Sequence, residues 1–133
     1  MPVWSAAAVT LAPSLRAIID DGFTERDGRL LLTRYVGEAE RTPRGWDAVA
    51  VEAAVNHVHI EGHVDRDPVA QGAAYADALA AALRARFADR DIRVIASVGD
   101  SVVVRFHVER PGASSLADDL DGYASEAVLT FLA

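Results

Sequence analysis

Apolar positions change their period several times along this chain, and each change marks an element. Leu11, Leu15, Ile18 and Ile19 recur at helical spacing. Thr10 to Asp21 therefore reads as a first helix, with Thr10 as its cap, Pro13 inside the first turn and Gly22 as its terminator. Ser5 to Val9 either extends this helix or forms a short strand. Phe23 to Arg26, the turn pair Asp27-Gly28 and the Leu-rich run Arg29 to Val36 predict a hairpin. Gly37 to Trp46 reads as a polar loop holding Pro43 and Gly45. From Asp47 to Gly62 the pattern alternates. Val49, Val51, Ala53, Val55, His57, His59 and Glu61 fall on one side, Val58 and Ile60 on the other, and His63 lies just beyond. That alternation predicts one long strand with apolar residues on both faces, buried on both sides or kinked at a bulge.

Asp67-Pro68 opens the clearest helix, with Asp as N-cap and Pro at the first helical position. Val69, Ala73, Ala76, Leu79, Leu83 and Phe87 form its stripe, and its alanines permit close approach to a sheet. Arg84, Arg86 and Arg90 lie at or just past its C-terminal end, where the helix dipole favours cations. Ile92 to Glu109 reads as a second hairpin. Val94, Ala96 and Val98 share a face on one strand; Val102, Val104, Phe106 and Val108 share a face on the other. A two-residue Gly-Asp loop places these sets on opposite faces. The pattern therefore predicts an odd-length loop, Gly99-Asp100-Ser101, that pairs Val98 with Val102. Pro111-Gly112 breaks the chain. Ser115 with Asp118 resembles a capping box for a last helix, striped by Leu116, Leu120, Tyr123, Ala127 and Phe131.

The resulting order, α-β-β-β-α-β-β-α, predicts an α+β fold: three helices on a mostly antiparallel five-stranded sheet, in one domain over residues 1–133. This order is similar to that of the type III secretion chaperones and of the small YbjN-type bacterial proteins. The resemblance covers nearly the whole chain as element order and rests on no residue motif. It implies a small acidic partner-binding protein and carries no functional residue across.

Composition narrows the function classes. The chain has 133 residues, 51% hydrophobic and 25% charged, which is globular and not disordered. A core of this size forms without a disulfide or a metal. The absence of cysteine excludes disulfide scaffolds, thiol catalysis and cysteine-based zinc sites. A net charge of −7 disfavours nucleic acid and anionic membranes as partners and favours a basic one. No stretch has the apolar length of a membrane span, and Met-Pro-Val-Trp-Ser lacks the basic region of a signal peptide, so a cytoplasmic location is expected. Every basic residue is Arg and Ala abounds, which suggests a GC-rich bacterial genome.

The candidate chemistry lies in His57, His59 and His63. With Glu61 these imidazoles offer a ligand set for a divalent metal such as zinc, nickel or iron. The HxH pair resembles that of a cupin, but His63 takes the position of the later carboxylate and the glycine expected before the pair is absent. Amidohydrolases also use HxH, on a barrel about twice this length. The bland alternative is a half-exposed sheet face, and a pH-sensitive patch lies between the two. Elsewhere, Arg105 and His107 are expected to face outwards, with Arg105 and Glu109 as a surface pair. Ser97, Ser101 and Ser125 belong to no nucleophile motif. Asp118, Asp119 and Asp121 read as helix-dipole compensation or a docking patch for a basic partner. Glu38 and Glu40 read as solvated, Trp46 as an anchor of its loop to the core, and Trp4 as closing one end, with an exposed binding aromatic as the alternative for either tryptophan.

Two functions follow from this layout, the first of them not separable by sequence from a structural role within a larger assembly. In the first, three helices leave one sheet face uncovered, and Val49, Val51, Val55, His57, His59, Ile95, Val103, Arg105 and His107 form an apolar patch with a polar rim. The chain is then a non-enzymatic protein-binding domain with no cofactor: a homodimer, or a chaperone, adaptor or immunity-type partner. In the second, His57, His59 and His63, with or without Glu61, build a small ligand-binding, metal-dependent or acid–base site. That reading requires the histidines to converge on one pocket.

Overall fold

The computed structural model describes residues 10–110 and the backbone of 127–132. Helix α1 spans Pro13–Asp20. Its N-cap is Ala12, which has no side-chain acceptor to offer. Gln71 substitutes for one, accepting from the Ala12 N–H at 2.9 Å and donating to the Thr10 carbonyl at 2.9 Å. Gly22, at φ +86°, turns the chain into β1 (Phe23–Arg26), and the Asp27-Gly28 turn leads into β2 (Arg29–Leu32). The expected strand through Val36 stops at Leu32, where a 3₁₀ segment, Thr33–Arg41, begins.

The largest departure from the sequence pattern comes next. Residues expected to start a long strand form helix α2 (Ala48–Val55), capped by the Asp47 carboxylate, which accepts from the Ala50 N–H at 2.9 Å. Strand β3 is only Val58–His59, followed by a 3₁₀ turn at Ile60–Gly62. Helix α3 runs Pro68–Arg86 as expected, but Asp67 sits in the left-handed region and makes no side-chain cap. Strands β4 (Ile92–Val98) and β5 (Val102–Val108) form the second hairpin, and Val98 pairs with Val102 across the expected three-residue loop. Strand β6 (Ala127–Leu132) pairs antiparallel with β4, where the last helix was expected to end. The rest of that helix, with Ser115, the Asp118–Asp121 cluster and Ser125, lies outside the described residues, as do Trp4 and Ser5 to Val9.

The fold is thus α+β, with a separate β1–β2 hairpin and a four-stranded sheet in the order β3-β5-β4-β6, not one five-stranded sheet. Helices α1 and α3 and the hairpin bury one face of that sheet around Phe106, Val94, Val104, Leu79 and Leu83. Gly72 lets α3 descend onto β5: a Cβ there would lie 2.7 Å from Cγ1 of Val102.

Helix α2 takes the place of a strand at the β5 edge. Its Glu52 and Asn56 are fully buried. One turn apart on a helix, they span about the distance of two strand residues. Glu52 accepts from the Leu30 N–H at 2.7 Å on β2 and from the Val108 N–H at 3.0 Å on β5. Asn56 accepts from the Leu32 N–H at 2.8 Å and donates to the carbonyls of Leu30 and Phe106 at 2.9 and 3.3 Å. Further along, β3 pairs with Val104 and Val103, and Glu61 accepts from the Val102 N–H at 2.7 Å. The segment therefore runs antiparallel beside β5, with side chains completing the ladder where backbone is absent. It also joins the two sheets.

Candidate functional site

Three histidines reach one cleft by three local routes. His57 follows the α2 C-cap, and its Nδ1 hydrogen-bonds the Ala54 carbonyl. His59 lies on β3 next to buried Val58, so the alternation of the strand turns it away from the core. His63 closes the 3₁₀ turn, its N–H donating to the Ile60 carbonyl at 2.9 Å. The His57 and His59 rings meet edge to face, with centroids 5.1 Å apart. Across from them the 3₁₀ segment contributes Tyr35 and Glu38, and Ala54, Val55 and Val58 supply apolar lining. The cleft encloses about 360 Å³, within the range of small-molecule sites.

A second cleft of about 250 Å³ adjoins it and shares Glu38, Ala54 and Val55. Its remaining wall is Arg41, Thr42, Pro43 and Trp46. Trp46, expected to anchor its loop, is instead 41% exposed, the one large hydrophobic side chain so exposed among the described residues. Glu38 sits at the junction and pairs with Arg41 at 3.4 Å; both are largely solvated.

Electrostatics at the cleft centre on His63. Its Nδ1 shares a 2.6 Å hydrogen bond with the Ser14 hydroxyl of α1. Partial burial, and then the positive charge of Arg34, hold its pKa below the usual histidine value. Arg34 is itself held by Asp21, donating from Nε at 2.7 Å. His63 is therefore biased towards the neutral form at pH 7.

The other sequence-based candidates are redistributed. Val49, Val51 and Val55 are 1, 1 and 3% exposed on α2, and Ile95 is fully buried. His107 is 1% exposed and hydrogen-bonds Glu109 through Nε2 at 2.9 Å. Arg105 donates to the Ser97 hydroxyl at 3.3 Å, and Val103 is half-buried in β5 between β3 and β4. These residues do not form an open sheet face, because the valines expected to enlarge it turn inward on a helix. The metal set is not assembled either. Glu61 is engaged by Val102, and no group of three or more His, Asp or Glu side chains among the described residues is arranged to hold a metal ion. What survives is the convergence of His57, His59 and His63. Tyr35, Glu38 and Ala54 join them without having been singled out as cleft residues, and Trp46 lines the adjoining cleft. The Asp47 cap ahead of an apolar run was the signal that reveals α2, and so the cleft wall.

Among the described residues no helix is long and apolar enough to cross a membrane. The chain belongs to the Uncharacterized protein PM0498 family, whose model matches residues 3–131. No curated protein and no solved structure matches it.

Proposed function

We propose that the chain is a ligand-binding domain whose site is the cleft between the 3₁₀ segment Thr33–Arg41 and the stretch from α2 to His63. The observation that carries this reading is the arrival of His57, His59 and His63 at one cleft from the end of α2, from β3 and from the turn beyond. Histidines displayed on a plain solvated sheet face have no reason to meet Tyr35, Glu38 and an apolar floor. In the neutral form His57 donates its Nδ1–H to the Ala54 carbonyl and keeps Nε2 as an acceptor, His63 keeps Nε2 beyond its bond to Ser14, and His59 adds one donor and one acceptor, a set that suits recognition of a small polar molecule. The apolar sheet-face patch expected from the sequence has lost its valines to the core, so capture of a protein on that face is the weaker reading.

Histidine-labelled protein provides the test. In an NMR fragment screen of small polar molecules, a true ligand shifts the imidazole resonances of His57, His59 and His63 together. Buried His107, on β5 and outside the cleft lining, serves as the internal control. If no fragment moves the three as a group, the proposal fails.

A further inference from the structure

Resting on that reading, we infer that the cleft takes an organic cation, a primary amine or a guanidinium, with Glu38 as its counter-ion. Glu38 is the one formally charged side chain among the described residues lining the first cleft when the imidazoles are neutral. It is also the charged acceptor common to both clefts. Tyr35, His57 and His59 line the same cleft and Trp46 the adjoining one, and aromatic side chains attract a cation. The net charge of −7 favours approach of a positive ligand.

A guanidinium already sits beside this carboxylate: that of Arg41, from the adjoining cleft at 3.4 Å. Side-chain exposures of 79% for Arg41 and 52% for Glu38 make this a weak surface pair, which an incoming cation displaces at little cost. The other charged or titratable groups facing the site are His57 from the end of α2, His59 from β3, His63 from the turn, and Tyr35 and Arg34 from the 3₁₀ segment. Asp21 offsets the charge of Arg34. Protonated imidazoles repel a cation, so its binding weakens as the pH falls through the histidine range. An anion has the opposite dependence.

The experiment titrates the full chain with agmatine, and separately with butyrate, at pH 8 and at pH 5.5, following the imidazole resonances and, in a Trp4→Phe background, Trp46 fluorescence. Agmatine is expected to shift the three cleft histidines at pH 8, to bind about tenfold more weakly at pH 5.5, and to lose about tenfold in affinity in Glu38→Gln, the scale of about 1.4 kcal/mol. Glu38 is on the surface, so this variant keeps the fold. A capped arginine peptide that matches agmatine identifies the source of the cation as a protein side chain; a peptide that fails while agmatine binds identifies a free amine. Butyrate shifting the histidines while agmatine does not overturns the cation and leaves the cleft standing as a site. Agmatine binding unchanged by Glu38→Gln also overturns the inference. Silence from both probes at both pH values overturns it, and the fragment screen then decides whether the cleft binds anything.

Discussion

Replacing Glu52 by Gln tests whether α2 acts as a strand surrogate. In the native chain the two carboxylate oxygens accept from the Leu30 N–H, from the Val108 N–H, and from both terminal nitrogens of Arg110 at 2.7 Å each. Arg110 further donates to the carbonyls of Val108 and Gly28 at 3.0 Å, tying the first hairpin turn to the end of β5. A glutamine keeps the volume but presents an NH₂ where one carboxylate oxygen stood. Whichever way the amide is turned, its donors face a backbone N–H and the guanidinium. One buried N–H is left without an acceptor, at about 1–3 kcal/mol, and the charged character of the Arg110 pair is lost as well. Breaking a buried ion pair on one side typically costs about 3–5 kcal/mol, out of a total stability of about 5–15 kcal/mol. With a urea m-value near 2 kcal/mol/M, the midpoint should fall by about 2 M. Hydrogen exchange adds a local signature. The Leu30 and Val108 amides lose protection before that of Leu32, which is held by Asn56. A midpoint within about 0.3 M of wild type, or uniform loss of protection at all three amides, refutes the surrogate-strand argument.

Three further outcomes follow from the packing and the charges. Gly72→Ala gains about 1 kcal/mol of helix propensity but drives a Cβ to 2.7 Å from the stiff Val102 side chain. With overpacking at about 1–3 kcal/mol, a net loss of about 1 kcal/mol is expected in chemical denaturation, and adding Val102→Ala should make the Gly72→Ala change favourable. The Tyr75 hydroxyl is buried with no hydrogen-bond partner among the described residues, and burial, then Tyr35, push its pKa well above the usual tyrosine value. Tyr75→Phe should therefore leave stability unchanged or raise it by up to about 1 kcal/mol; a loss of that size would show that the hydroxyl has a partner. His63 has a folded pKa below its ordinary 6.5, so the unfolded chain binds its proton more readily. Its effect on stability is absent well above pH 6.5 and becomes unfavourable as the pH falls below that value. An NMR titration midpoint below 6.5, and a shallower acid decline in His63→Gln, are the expected results.

Most of this arrangement was legible where neighbouring residues decide the element. Asp27-Gly28 fixes its hairpin by turn chemistry alone, and the parity of the apolar faces in β4 and β5 was enough to fix a three-residue loop. The reading failed where tertiary context outweighed local pattern. Val49, Val51, Ala53 and Val55 alternate like a strand, yet nearly all sides of α2 are covered, and a helix buried all round has no polar face to break the alternation. Its two polar residues, Glu52 and Asn56, lie at i and i+4, a helical spacing that looks like strand alternation because four is also even. The apolar run Ala127–Leu132 carried a helical stripe through Ala127 and Phe131, but the pairing opposite β4 made it a strand. Tyr35 reads as strand and Glu38 as loop because a 3₁₀ segment has no strong sequence period.

The same polar clamp that stands in for a strand also positions the candidate site. Asn56 is fixed between β2 and β5 by three hydrogen bonds, and His57 is the next residue. Val58 and His59 are then locked to Val104 and Val103, and Glu61 to Val102, so the chain from 56 to 61 is held at nearly every step by β5. Had the segment been a regular strand, His57 and His59 would have risen from the sheet in a row, about two strand residues apart, with nothing opposite them. Ending α2 at Val55 instead brings its Ala54 and Val55 beside the histidines and places the 3₁₀ segment, packed on α2 through Tyr35, Val36 and Ala39, across from them. The cleft is therefore a consequence of replacing backbone pairing by Glu52 and Asn56. His57 and His59 stand on this tethered stretch of the sheet edge, whereas Glu38 and Trp46 reach the cleft from solvated positions on the other side.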